Sequence, residues 1–317
     1  MEKSRFSLLP TRVVVAALAI PAIVFLAMEG GYWFFGLVVF ISSLALYEFY
    51  KLSERKGVFP LTVLGMFFGF LVNLAFIYER LQLDVYKFFA DLGIRLSMFS
   101  QLQFFLVVLL IFTMTVLLIE LFRKKGSPTL NIGVTVFGVL GISVFFGTLI
   151  ALREVFPYGF PVAKFFPLAI ANTVHLEQID RWGGYTVVSL LATIWLCDTA
   201  AYFGGVFFGK HKLMERVSPG KTWEGAVFGF VFAVVGMVIA QGTVLEYMQS
   251  HQAIAIGVLV GIFGQVGDLV ESRFKRDANV KDSSSAIPGH GGMYDRFDSL
   301  VFLSPIVYLY IDFIVLS

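Results

Sequence analysis

One cysteine, Cys197, occurs in 317 residues. A single thiol excludes an internal disulfide and every metal site built from several cysteines, and it reads most simply as a small buried hydrophobe. Charge is also scarce: 15% of residues are Asp, Glu, Lys or Arg, and 24 basic against 22 acidic side chains leave a formal charge of +2. A nucleic-acid binder carries a concentrated basic excess, so no nucleic-acid partner is expected. Above all, the chain lacks enough polar sequence to clothe a water-soluble domain. Hydrophobic residues make up 58% of it, with 30 glycines besides, whereas an ordinary soluble domain is ~45–50% apolar with glycine included. A water-soluble monomer is excluded.

The apolar residues fall into runs. A membrane helix needs ~20 mostly apolar residues, and the sequence supplies about nine such stretches, at 13–28, 31–48, 61–78, 102–122, 131–152, 185–208, 225–247, 252–270 and 299–316. The first follows a short basic stretch but ends in no convincing small-residue cleavage pattern, so it reads as a membrane helix and not as a signal peptide. The expected fold is an all-α polytopic membrane protein of about nine spans.

Charge gives the count a test, because Lys and Arg collect on the cytoplasmic side. With the N-terminus in the cytoplasm, the N-terminal tail and the loops after spans two, four, six and eight hold 18 of the 24 basic residues. The other side holds Arg80, Lys87, Arg95, Arg153, Lys164 and Arg181. A miscounted span would mix the two groups, so the bias places the C-terminus outside. The chain divides into 1–100 with spans one to three, 101–184 with spans four and five and an outer loop, and 185–317 with spans six to nine. The outer loops, 79–101 and 153–184, mix both charge signs with aromatics and read as interfacial segments without recognisable chemistry.

Two inner loops, 209–224 and 271–298, flank the hairpin of spans seven and eight. They share a face and can build one site. Asp268, Ser272 and Lys275 or Arg276 recur at i, i+4, i+7 and i+8, one stripe of a helix. An acid at the end of an apolar helix is expensive and should be paired or functional; the same holds for Asp198, within the sixth span, where a buried hydrogen bond is the plainer alternative. Further on, the 288–292 turn PGHGG can turn backbone N–H groups toward an anion. Asp295 and Asp298, three apart on a helical start, are expected to face the same way. With Asp268 they make three carboxylates among Lys275, Arg276, Lys281 and Arg296. Mg²⁺ usually binds one or two carboxylates plus substrate phosphates, so this set fits a Mg²⁺–nucleotide site; the plainer reading is a solvated, mutually neutralising loop.

Gly220-Lys221-Thr222 superficially suggests a phosphate-binding P-loop, but Glu215 stands where that pattern requires glycine. What remains is a turn offering hydroxyls, an ammonium and a carboxylate. It also reads as a helix start, with Ser218 as the cap, Pro219 in the first turn and Glu224 early in the helix.

Taken together, Ser272-Arg273-Phe274-Lys275-Arg276, Lys281-Asp282, His290-Gly291-Gly292 and Asp295-Arg296-Phe297-Asp298 resemble the signature of the phosphatidate cytidylyltransferase family, the CDP-diacylglycerol synthases. The segments 198–205 (DTAAYFGG), 208–213 (FGKHKL) and 218–225 (SPGKTWEG) resemble it too, so the likeness covers most of 198–298. Gly220 departs from the pattern, where a second basic residue is usual.

The resemblance implies the reaction CTP + phosphatidic acid → CDP-diacylglycerol + pyrophosphate, with Mg²⁺ and room for a second cation. It implies a homodimer in the lipid bilayer of a bacterial inner membrane, its site facing the cytoplasm. The substrate's phosphate is the nucleophile, so no protein nucleophile is needed, and the sequence offers no obvious triad. The implied metal ligands are Asp268, Asp295 and Asp298. Lys275, Arg276, Lys221 and Arg296 are assigned to triphosphate or phosphatidate oxygens, and Asp198, Ser218, Ser272, Lys281, Asp282 and His290 join the substrate-binding set. Two rivals stand beside this reading. Another membrane nucleotidyl or prenyl-phosphate transferase would share the metal and phosphate logic. A cation-coupled transporter would also bury acids, but it should show broken helices in both halves, and the N-terminal half has no matching pair.

Overall fold

The computed structural model describes residues 9–166 and 173–317. Residues 1–8, with Lys3 and Arg5 of the tail, and 167–172 of the second outer loop lie outside the described residues. With no water in a bilayer core, each spanning segment must satisfy its own backbone groups, which long apolar runs do as helices. The chain forms α1 (Leu9–Glu29), α2 (Gly31–Glu54), α3 (Thr62–Phe76), α4 (Tyr78–Asp91), α5 (Gln101–Phe122), α6 (Pro128–Gly138), α7 (Val144–Gly159) and the short α8 (Val162–Phe165). It continues with α9 (Thr173–Phe208), a hairpin of β1 (Lys212–Met214) and β2 (Ser218–Thr222), α10 (Trp223–Thr243), α11 (Ser250–Leu259), α12 (Gln265–Asp277) and α13 (Tyr294–Tyr310). π-Helical turns at Val139–Ser143 and Val260–Gly264 splice α6 to α7 and α11 to α12 into continuous rods, and a third, Ile311–Val315, extends α13.

Among the described residues, eight helices are long and apolar enough to cross a membrane, or up to nine if the bent pair α3–α4 is one span. The ambiguity has a geometric source. α3 has 15 residues, about 22 Å at 1.5 Å per residue, short of a ~30 Å hydrocarbon core, and the chain bends by 74° into α4. The chain is an integral membrane protein. Several helices overrun the expected spans: α7 reaches Gly159 and α9 starts at Thr173.

Side-chain contacts sort the connections into two ends. At one end Arg12 Nε donates to the Gly289 carbonyl (2.7 Å), Lys56 pairs with Asp277 (3.4 Å), Arg123 Nη1 donates to the Phe59 carbonyl (2.5 Å) and Arg276 Nε to the Val217 carbonyl (3.2 Å). At the other end Arg80 pairs with Glu154 (2.8 Å) and Arg153 with Asp180 (2.9 Å). Arg12 and the loops after spans two, four, six and eight thus share one end, the grouping that the basic residues display.

The outer segments are more structured than expected. Arg153 and Glu154 are helical, and Arg153 is 0% exposed; its guanidinium also donates to the Ala27 and Met28 carbonyls, which a helix end leaves without partners. Gly30 (φ +66°) reverses the chain there, and a Cβ at that position would overlap the Arg153 guanidinium. One apolar core cluster runs from Ala27 to Leu316 and takes side chains from both halves of the chain.

Candidate active site

α12 emerges from its π turn carrying Asp268, Glu271, Ser272 and Lys275, spaced to lie along one helix face. Gly267 lets α13 approach that face: a Cβ there would sit 2.9 Å from the Asp298 carbonyl oxygen. The approach brings ligand atoms of Asp268, Glu271 and Asp298 within 4.8 Å of one another. Ser272 Oγ donates to Asp268 Oδ1 (3.3 Å). Glu271 is 1% exposed; Lys275 Nζ stands 2.6 Å from its Oε2, yet neither oxygen receives a well-formed hydrogen bond. A buried carboxylate with unused acceptor capacity is costly unless something positive completes it.

The hairpin delivers the opposing cation. Lys212 Nζ donates to the Pro219 carbonyl (2.7 Å), Trp223 N to the His211 carbonyl (2.9 Å), and the His211 ring contacts Glu224 Oε1 (2.7 Å). So braced, the end of β2 places Lys221 Nζ 2.5 Å from Asp268 Oδ2. The expected helix start is corrected here. Ser218 begins a strand, and the cap of α10 is Thr222, whose Oγ1 accepts from Gly225 N (3.1 Å). β2 is extended and pairs with β1, which leaves Ser218 without the geometry of a cap.

Asp295 and Asp298 do not face the same partners, contrary to the expectation from their spacing. Phe297 between them has non-helical torsions (φ −121°, ψ 15°), which breaks the helical i, i+3 relation. Asp295 accepts from Lys275 Nζ (2.8 Å), Ser283 N (2.9 Å) and Gly292 N (2.7 Å), with Ser283 Oγ in contact at 3.0 Å, and is not part of the 4.8 Å trio. Arg276 also departs from its expected stripe. Its guanidinium donates to the Val217 and Val280 carbonyls, tying the hairpin to α12.

Between these elements lies a cavity of about 1010 Å³. Its polar lining is Asp198, Ser218, Lys221, Asp268, Lys275, His290, Asp295, Arg296 and Asp298. α1 and α2 contribute apolar residues to the same lining, among them Ala16, Ala19, Ile23 and Ile41. Lys281 and Asp282 are exposed and outside the lining. His290 makes a 3.4 Å contact from Nδ1 to the Pro288 carbonyl. Counting Glu271, the polar part holds five carboxylates against Lys221, Lys275 and Arg296. An anionic phosphate approaches such a surface favourably only with a cation present. The Asp268, Glu271 and Asp298 oxygens are hard donors of the kind Mg²⁺ takes.

Two residues escape a reading of the sequence. Glu271 stands at the start of the 271–298 loop in the sequence, and its signal is an acid three residues beyond Asp268 on a helix that continues past 270. Glu48, in α2, is 3% exposed and takes four hydrogen bonds from the 283–294 segment.

The sequence profile of the Cytidylyltransferase family matches residues 10–314. A phosphatidate cytidylyltransferase of Bacillus subtilis (strain 168) is 31% identical over 298 residues, covering 94% of this chain and 95% of that one. The phosphatidate cytidylyltransferase of Synechocystis sp. (strain ATCC 27184 / PCC 6803 / Kazusa) is 30% identical over 311 residues, covering 96% and 97%. An Escherichia coli (strain K12) protein described as uncharacterized, YnbB, is 41% identical over 131 residues, 41% of this chain and 44% of its own length.

Proposed function

The chain belongs to the cytidylyltransferase family, and from that membership we propose that it transfers the cytidylyl group of CTP to phosphatidic acid, giving CDP-diacylglycerol and pyrophosphate. The observation that carries the reading is the mixed cavity, whose lining joins charged residues to apolar residues of α1 and α2 within one space. A lipid phosphate must arrive from the bilayer and a nucleotide from water, and this cavity has lining suited to each.

A phosphatidate phosphate oxygen forms a new bond to the α-phosphorus of CTP while the bond from that phosphorus to the β-phosphate bridging oxygen breaks, and pyrophosphate departs with the electron pair. The nucleophile is already an anion, so the protein contributes positioning and charge balance and no covalent intermediate. Lys221 and Arg296 are the cations in the cavity lining best placed for phosphate oxygens. Lys275 is committed to Glu271 and Asp295, and holds α12 and α13 together while its charge offsets theirs. Asp268, Glu271 and Asp298 would hold Mg²⁺, which when bound neutralises phosphate charge and orients the triphosphate.

The positive-inside bias supports a site facing the cytoplasm, in a bacterial inner membrane, and the family reading carries a homodimer with it. The test is direct: purified protein in detergent, given CTP, Mg²⁺ and phosphatidic acid, should release pyrophosphate and form CDP-diacylglycerol. No lipid nucleotide in that mixture contradicts the reading.

A further inference from the structure

The N-terminal helices hold none of the charged residues in the polar lining of the cavity, yet one of them holds the active-site segment in place. Glu48 lies near the end of α2, 3% exposed. Its Oε1 accepts from Ser284 Oγ (2.6 Å) and Met293 N (3.0 Å), and its Oε2 from Ser283 Oγ (3.0 Å) and Tyr294 N (2.8 Å). One carboxylate therefore binds both ends of the 283–294 segment, from more than 230 residues away in sequence. Met293 N and Tyr294 N are N–H groups at the start of α13, which a helix leaves without internal partners. A carboxylate at that end is favoured by the helix dipole as well.

The first turns of α13 carry Asp295, Arg296 and Asp298. Ser283 Oγ contacts Glu48 and Asp295 at 3.0 Å each, so the brace runs without a gap from α2 to the carboxylate that holds Lys275. Gly292 is part of the fit: a Cβ there would overlap Ser283 Oγ and crowd Glu48 Oε2.

We propose that Glu48 is a positioning residue for the cytidylyl-transfer site: by clamping Ser283, Ser284, Met293 and Tyr294 it fixes the start of α13 and so the placement of Asp298 against Asp268 and Glu271. The inference rests on the cytidylyl-transfer reading. Glu48 is not among the residues that line the cavity. Its removal should loosen the carboxylate trio, weakening its grip on Mg²⁺ and misplacing the reacting phosphates by a fraction of an ångström.

The test is Glu48→Gln, which keeps the shape but replaces one acceptor oxygen by a donor, with Ser284→Ala as a milder variant that deletes a single donor. Activity of the full-length enzyme is titrated with Mg²⁺ at saturating CTP and phosphatidic acid, per mole of folded protein. Glu48→Gln should lower kcat about 10- to 100-fold, the scale of a small misplacement of reacting groups, and raise the Mg²⁺ concentration at half-maximal activity at least about tenfold. Excess Mg²⁺ should recover part of the lost rate, and Ser284→Ala should shift in the same direction by less. A merely structural role would reduce the folded fraction without moving the Mg²⁺ midpoint. Wild-type midpoints in both variants, or in Ser284→Ala alone if Glu48→Gln does not fold, overturn the proposal. An inactive wild-type enzyme would instead overturn the parent reading.

Discussion

Lys221 Nζ lies 2.5 Å from Asp268 Oδ2, joining the end of the β-hairpin to the metal-facing end of α12. Both side chains are partly exposed to the cavity, so the pair has room to open as a triphosphate and a cation arrive. Lys275 is different: its ammonium is buried between Glu271 and Asp295.

The two lysines should therefore fail in different ways. Lys221→Ala is expected to raise KM for CTP and leave that for phosphatidic acid nearly unchanged. One lost charge-assisted hydrogen bond, ~1.5–3 kcal/mol, corresponds to roughly a ten- to hundredfold loss in kcat/KM. Steady-state kinetics with each substrate varied in turn checks this, and a rise in KM for phosphatidic acid alone would move Lys221 to the lipid headgroup.

Lys275→Ala leaves two buried carboxylates without their cation, a change of the kind that costs about 3–5 kcal/mol. The expected outcome is a lowered thermal midpoint together with loss of turnover toward both substrates. A stable variant with only its CTP affinity reduced would show that Lys275 faces the nucleotide.

Chelation should abolish activity and Mg²⁺ should restore it. Asp268→Asn, Glu271→Gln and Asp298→Asn should each raise the Mg²⁺ requirement and lower kcat by at least about a hundredfold, since each withdraws charge from the trio without changing its shape. Glu271→Gln is informative when compared with Lys275→Ala, because it also weakens the Glu271–Lys275 pair: a shifted Mg²⁺ requirement at unchanged thermal midpoint assigns Glu271 to the trio. Normal Mg²⁺ dependence in that variant would take Glu271 out of the trio.

The grouping of loops into two ends predicts labelling. In a background with Cys197 replaced, cysteines at Ser127 and Ser285 should react with an impermeant reagent only from the cytoplasmic side. One at Ser97 should react only from outside. All three positions are exposed. Opposite-face reactivity of Ser127 and Ser285 would separate loops that the Arg123–Phe59 and Lys56–Asp277 contacts place at one end.

At the far end, Arg153→Met should destabilise the fold by about 2–3 kcal/mol, because the guanidinium satisfies two helix-end carbonyls besides Asp180. Both KM values of the folded protein should stay near wild type, since Arg153 is at the opposite end from the cavity's charged lining. Thermal unfolding in detergent alongside kinetics measures both.

Much of this architecture is legible in the sequence because hydrophobic runs and basic residues are properties of composition along the chain. Asp268, Lys221 and Asp298 could be gathered for the same reason: a helical hairpin returns both loops to one face. Contacts that depend on torsions or on distant partners could not. Phe297 leaves the helical region and parts Asp295 from Asp298, which no spacing rule foresees. Glu48 looks like any acid at a helix end, and its four donors are supplied by a loop brought near only by tertiary packing. The hairpin was obscured because Pro219 and Gly220, ordinary turn residues, stand within a strand.

The central claim is that the cavity moves the α-phosphorus of CTP, with its nucleoside, onto the lipid. Supplying purified enzyme with CTP labelled at either the α- or the γ-phosphorus, plus phosphatidic acid and Mg²⁺, tests it most directly. The account predicts α-label in the lipid product and γ-label in pyrophosphate, in equal molar amounts. Transfer of γ-label to lipid, or no label in lipid from either position, would contradict it.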